Sequence, residues 1–330
     1  MMRKSVLCTL MIFAVGLAKA QYIPAYQPDS LKISVADVNY WHQGNLLKHL
    51  EASLTVGTSG IGLDIATPLS EYVQVRVGYD YMPRIHKNYR YNVQGDGKDP
   101  VKYNEEGNRV ATPFDNIASY MYAKDGREIK DHVDLRGKLT MNNFKLLVDI
   151  YPFKYDKSWH ITAGLYWGPS EFARMDNTSA SVQTLADIQA YNQIYREAAE
   201  GDPVKGYGLL SVGMGTYSHN FQQGNNRRLM NGPYQMEPTE DCRVTISCTS
   251  NSLKPYVGFG YGGRLFPKRN DWKITGELGA MIWGGSPSQT THDGTDLSKD
   301  VQDYPHTITT IVKNLFVYPV LSVRIAKTLF

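Results

Sequence analysis

Cysteine is scarce, long apolar runs are almost absent, and neither sign of charge prevails. The 330-residue chain has three cysteines, and one of them, Cys8, lies in the N-terminal leader. Cys242 and Cys248, in DCRVTISC, remain. A lone close pair in an exported chain is expected to oxidise into a small loop disulfide, and two free thiols are the alternative. Two cysteines with no histidine pair beside them make a poor zinc site, and no cofactor is expected. A net charge of +3 is too small to argue for nucleic acid as a partner. Past Leu17 no apolar run is long enough for a transmembrane helix.

The one apolar run has the layout of an export signal. Arg3 and Lys4 precede Ser5–Leu17, and Ala18-Lys19-Ala20 supplies a small-x-small cleavage pattern that leaves Gln21 first. Residues 1–20 are thus expected to be removed. Cys8 falls before the cut, which argues against a lipidated N-terminal cysteine. Residues 21–49 form a lead-in or a first strand.

What is plentiful is alternation. The closing stretch LFVYPVLSVRIAKTLF puts Val317, Leu321, Val323, Ile325 and Leu329 on one parity, with Tyr318, Ser322, Arg324 and Ala326 on the other. Successive strand side chains point to opposite faces, so this is a long strand with one oily face. The same pattern recurs at 50–56, 61–65, 72–81, 133–139, 144–151, 159–167, 255–266 and 272–283. The chain's 23 tyrosines and 29 glycines suit interfacial girdles and strand bends. Connections at TPLS, YPFKYDKS and PKRND are short, and they alternate with long ones at 83–131, 168–253 and 284–313. Up-and-down membrane barrels have short periplasmic turns on one rim and long extracellular loops on the other. The expected fold is therefore an all-β, antiparallel transmembrane barrel over residues 50–330. It has about eight strands, or ten if Leu31–Tyr40 and Tyr207–Tyr217 join the wall. The second long loop is expected to carry a short helix near residues 181–200, from apolar residues spaced by three and four.

Several segments also carry a family resemblance. GIGLDIATPLSEYVQVRVGYDYMP, KLLVDIYPF, HITAGLYW, PYVGFGYGGR and ITGELGAMIWGGSP, in that order, resemble the strands of small opacity-type outer-membrane barrels. Gln21 after the cut suggests a Bacteroidetes-like member. The resemblance covers about half the chain and leaves out the long loops. It implies an outer-membrane location in a Gram-negative bacterium, outer-membrane lipid as surroundings, and recognition of the C-terminal strand by the barrel-insertion machinery. Phe330 departs from the pattern by standing one residue out of phase, with Leu329 in phase.

The parity opposite the oily one collects Asp64, Arg76, Asp80, Lys145, Asp149, His160, Arg264, Lys273, Glu277 and Arg324. An eight-stranded barrel is just wide enough for side chains to fill, so these should form a paired interior network. The competing reading is a conduit for charged solutes, which a wider barrel would favour. Catalysis has thin support. Ser218-His219 and Asp131-His132 are the candidates that resemble catalytic groups, and adjacent residues on a strand point opposite ways. His86, His292 and His306 fall in loops. The loops also hold Tyr89, Tyr91, Tyr103, Tyr120, Tyr122, Tyr191 and Tyr195 beside Arg90, Arg109, Arg127, Arg196, Arg227 and Arg228. Tyr and Arg are favoured at binding surfaces, so an extracellular ligand or host surface is one expected partner, against a solvated cap over the barrel mouth.

Overall fold

Strict alternation belongs to strands with oil on one side and packing on the other, and the barrel wall is built from those stretches. A computed structural model describes residues 49–153, 156–218, 232–266 and 269–329. These fall within one compact unit, Trp41–Phe330. The leader, nearly all of the 21–49 lead-in, His219, Arg227, Arg228 and Phe330 lie outside the described residues.

The chain opens with β1 (Glu51–Gly57), β2 (Gly60–Pro68) and β3 (Val73–Tyr81), then leaves the wall for β4 (His86–Gly95), β5 (Lys102–Tyr103), β6 (Arg109–Val110), helix α1 (Pro113–Asp125) and β7 (His132–Leu139). It returns through β8 (Asn143–Ile150) and β9 (Trp159–Trp167). A second excursion holds β10 (Glu171–Asn177), α2 (Val182–Glu197), β11 (Leu210–Tyr217), β12 (Pro233–Met236) and β13 (Thr245–Thr249). The wall resumes with β14 (Leu253–Phe266) and β15 (Arg269–Ile282). A third excursion carries β16 (Ser288–Thr291), α3 (Leu297–Asp300), β17 (Val301–Gln302) and α4 (Thr307–Lys313), before β18 (Val317–Thr328).

Eight strands close into an up-and-down antiparallel barrel, β1-β2-β3-β8-β9-β14-β15-β18, with β18 sealing against β1 from Glu51↔Thr328 to Gly57↔Ser322. The expected eight-stranded barrel is there, with one correction to which segments form its wall. Val133–Leu139 and Leu210–Tyr217 have strand character but belong to β7 and β11, outside the wall, so the barrel has eight strands and not ten. Gly57 pairs with Gly60 in a two-residue hairpin between β1 and β2, on the same rim as the long excursions.

The wall's outer face is apolar. Leu54, Leu63 and Tyr79 line up across β1, β2 and β3, all exposed. Aromatics gather at both rims. Tyr79, Phe144 and Trp167 lie near the long-loop rim, and Trp159, Phe259 and Tyr261 near the short-turn rim. Trp159 and Trp167 end the same nine-residue strand, about 26 Å apart at ~3.3 Å per residue before tilt. At the usual tilt of about 35–45° this covers about 20 Å along the membrane normal, most of the ~25 Å apolar band of a membrane barrel, with an aromatic girdle at each edge.

The excursions are not structureless. They pool their strands into one sheet, β12-β11-β4-β7-β10-β13-β16, with β17 on the edge of β11. Its core packs Tyr91, Val133, Leu135 and Val212 against Phe114, Ile117 and Met121 of α1 and Leu185, Ile188 and Tyr191 of α2. Helix α2 covers the expected helical stretch. Helix α1 was not anticipated, although its start is written in the chain. Thr112 accepts from the Asp115 amide while Asp115 accepts from the Thr112 amide, Pro113 sits in the first turn, and Gly126 ends the helix at φ 68°.

Candidate functional site

The barrel interior is small, so every inward side chain meets the chains across from it. Arg76 on β3 is the hub. Its Nη2 donates to Asp149 Oδ1 and to Glu277 Oε2, both at 3.0 Å. Asp149 also accepts from Thr162 Oγ1 at 2.7 Å and lies 3.7 Å from Arg324 Nη1. Glu277 takes the Tyr256 hydroxyl at 2.5 Å, and His160 Nε2 stands 3.6 Å away. A second cluster centres on Lys145, whose Nζ is 2.8 Å from Asp64 and 2.6 Å from Asp80. Those carboxylates also take the hydroxyls of Thr55 and Ser59. Alternate rows carry glycine where these chains need room. A Cβ on Gly260 would lie 2.1 Å from the His160 ring, and one on Gly78 1.9 Å from Asp64 Oδ1.

The structure thus gathers Asp64, Arg76, Asp80, Lys145, Asp149, His160, Glu277 and Arg324, all buried. Lys273 sits half-exposed at the short-turn rim, 3.6 Å from Glu51. Arg264 is exposed and outside the network. β9 accompanies β14 only as far as Tyr261, whereas β15 stays paired to β18 as far as Trp272↔Lys327, so Arg264 lies on a stretch of β14 whose β9 edge is open. Two interior charges escaped the parity argument. Glu51, first in its strand, bonds with Lys273 and Arg324. Lys254 is fully buried and donates to Asn143 Oδ1 and the Pro169 carbonyl, both at 3.3 Å. A lone lysine just before Pro255 gave little reason to place it inside.

Asp149, His160 and Glu277 bring ligand-type atoms within 4.8 Å of one another, the spacing of a metal site. The Arg76 guanidinium already bonds both carboxylates, and Arg324 approaches from the other side. A divalent cation there would face two fixed positive charges, so these residues fit a salt-bridged plug better than a metal centre.

Above the network the mouth is closed by packed apolar groups. Met82, Tyr166, Phe172, Tyr256, Met281 and Trp283 form one buried cluster, with Phe172 and Trp283 ring centres 4.3 Å apart.

Of the two readings of the cysteine pair, the structure carries the second. Both thiols are free. Cys242 lies in a turn, at φ 55°, and its Sγ donates to Gln189 Oε1 at 3.2 Å. Cys248 points into the apolar cluster at the mouth from β13. A strand advances ~3.3 Å per residue, so the extended run between them carries the pair beyond the ~7 Å Cα separation a disulfide bridges. Burial, with Glu171 nearby, pushes the Cys248 thiol up to about 12.

The catalytic candidates have structural partners. His132 Nδ1 contacts its neighbour Asp131 at 2.7 Å. His292 Nε2 is 2.8 Å from the Glu237 carbonyl, and His306 Nε2 is 2.6 Å from the Arg90 carbonyl. Ser218 donates to the Lys299 carbonyl at 3.4 Å. His86 is exposed at the start of β4. Among the loop tyrosines, Tyr91 and Tyr191 are core residues of the outer sheet, whereas Tyr103 and Tyr122 are exposed. Arg109 and Arg196 pair with Asp115 and Glu237.

No family model and no curated protein matches the chain. Among solved structures it is similar to the Acinetobacter baumannii proteins CarO2 (17% identity, 85% of this chain and 98% of that one, TM-score 0.35) and CarO (16%, 86% and 99%, TM-score 0.37). It is also similar to a major outer membrane protein of Thermus thermophilus (13%, 85% and 98%, TM-score 0.26). With TM-scores this low, the fold is read from the closed strand order itself.

Proposed function

We propose that this chain is a non-enzymatic outer-membrane barrel whose lumen is a structural plug and whose working part is the folded outer sheet. The chain enters and leaves the wall at Glu51 and Thr328, on the short-turn rim, which in membrane barrels is periplasmic. The excursions, on the other rim, then face the exterior, where they serve as a surface for an extracellular partner.

The observation that carries the plug reading is the Arg76 hub. Its two 3.0 Å bonds tie β3 to the adjacent β8 and, across the lumen, to β15, beneath an apolar cap. A solute path needs mobile or solvated charges, and these are tied to one another. The test is conductance of the purified protein in planar bilayers. No unitary steps are expected, and reproducible ohmic steps would overturn the plug reading in favour of a small-solute channel.

A further inference from the structure

Among the described residues, the outer sheet and helix α4 line an open apolar cavity of about 260 Å³. One face of the sheet supplies Leu139, Ala173, Met175 and Ile246, and Ile308 and Val312 of α4 close the other side. The volume exceeds the ~150 Å³ of an apolar hole that takes up benzene. An apolar lining left facing water gains dispersion contacts and loses exposed apolar surface when an apolar guest fills it.

Its position and rim define the guest. Phe172 lines the cavity and stacks near Trp283 of the mouth cluster, so the cavity sits just above the barrel rim. Ile85, also in the lining, is exposed four residues beyond the end of β3, so the opening adjoins the oily wall. Of the basic residues in the lining, Lys87 shares the cavity face with Met175, both registered against Gly137, while His86, Lys138 and Arg174 fall on the opposite face of the sheet. Asp176 bonds Lys138 at 3.0 Å and Arg174 at 2.9 Å. Lys87 has no carboxylate partner among the described residues, and its ammonium lies 5.5 Å from the Tyr89 ring centre. A long apolar slot at headgroup height with an uncompensated ammonium at its lip is complementary to a chain that is oily along its length and anionic at one end.

We propose that the cavity between the outer sheet and α4 binds a single-chain anionic amphiphile of the fatty-acid class, with its tail against Met175, Ile246 and Val312 and its carboxylate at Lys87. This site gives the outer sheet a ligand, and it is independent of whether the barrel conducts. The test uses the full mature chain in zwitterionic phosphatidylcholine nanodiscs, which avoids competing detergent, with carboxyl-labelled decanoate as probe and empty nanodiscs as the partition control. Expected are one saturable site above partition, loss of that site in both Ala173→Phe and Val312→Trp, and at least tenfold weaker binding in Lys87→Glu. Decyltrimethylammonium, equal in chain length and opposite in charge, should not saturate. Heat-modifiable gel mobility identifies folded variants, and the two filling substitutions approach the cavity from opposite walls. Decanoate uptake no greater than in empty nanodiscs, or saturable binding that survives both fillings in folded protein, would overturn the site. Equal saturable binding of the cationic amphiphile would overturn the assignment of an anionic head.

Discussion

Arg76 and Asp149 lie 73 residues apart in the chain and meet inside the barrel, guanidinium Nη2 to carboxylate Oδ1, at 3.0 Å. The same nitrogen reaches Glu277 on β15 at the same distance. One cation therefore neutralises two acids carried by different strands, and removing it leaves both acids buried and short of a partner. Arg76→Met is expected to destabilise the barrel by about 3–5 kcal/mol, the usual result of breaking a buried ion pair from one side. Adding Glu277→Gln to Arg76→Met should recover part of the loss, because one orphaned charge is then gone. Urea unfolding in micelles, followed by tryptophan fluorescence, measures both. A single variant as stable as the parent would mean that the interior is solvated rather than packed.

The thiols supply a second prediction. Unfolded under non-reducing conditions, the mature chain should titrate as two free thiols. In the folded protein, a thiolate-selective reagent at neutral pH should modify Cys242, which is only partly covered, and spare Cys248, whose thiol burial pushes up to about 12. Native labelling should therefore vanish in Cys242→Ser and persist in Cys248→Ser. An intact-mass measurement showing two hydrogens fewer than the dithiol would instead establish a disulfide and a different course for residues 242–248.

How much of this was legible in the residues depended on what each side chain faces. Arg76, Asp149 and Glu277 could be placed by parity because lipid on one side leaves a charge a single tolerable direction. Arg264 obeys the same parity and is exposed, because alternation shows which face a residue occupies and not whether a wall stands opposite. The outer sheet stayed hidden for a related reason. Its strands are short, and only one face meets a core. Residues 83–131 therefore read as a polar loop, although Thr112, Asp115 and Gly126 bracket helix α1 with recognisable caps. Tyr91 and Tyr191 fit a binding surface by residue type alone, and only the assembled sheet reveals them as core.

Asp293 ties the third excursion to the second and makes the outer sheet acid-sensitive. Burial raises its carboxyl, but hydrogen bonds from the Thr291 and Tyr234 hydroxyls and the Thr295 amide outweigh this and hold it below the usual carboxylate range. The Tyr234 bond is 2.7 Å long. An acid depressed in the folded state stabilises the fold above its unfolded value, about 3.9, and loses that contribution as pH falls through the lower folded value. Protease resistance of the outer sheet should thus hold from neutral pH to about pH 5 and decline below pH 4. In Asp293→Asn it should be lower at neutral pH and show a flatter acid limb. A profile unchanged by the substitution would remove Asp293 from the account.

The last prediction concerns the wall. Leu146 is 50% exposed in β8, between Val77 of β3 and Leu165 of β9 and inside the Phe144–Trp167 row, while its neighbour Lys145 is buried with Asp64 and Asp80. In water an exposed leucine replaced by arginine would cost almost nothing. In a bilayer the same change places a charge in hydrocarbon at about 2–4 kcal/mol near mid-depth, falling towards the interfaces. Leu146→Arg should lower barrel stability in phospholipid vesicles by that amount. Trp167→Arg, at the long-loop girdle, should cost about 1 kcal/mol or less from charge placement. Equal, small effects at both positions would mean that this face meets water, and the barrel would then not be a membrane wall at all.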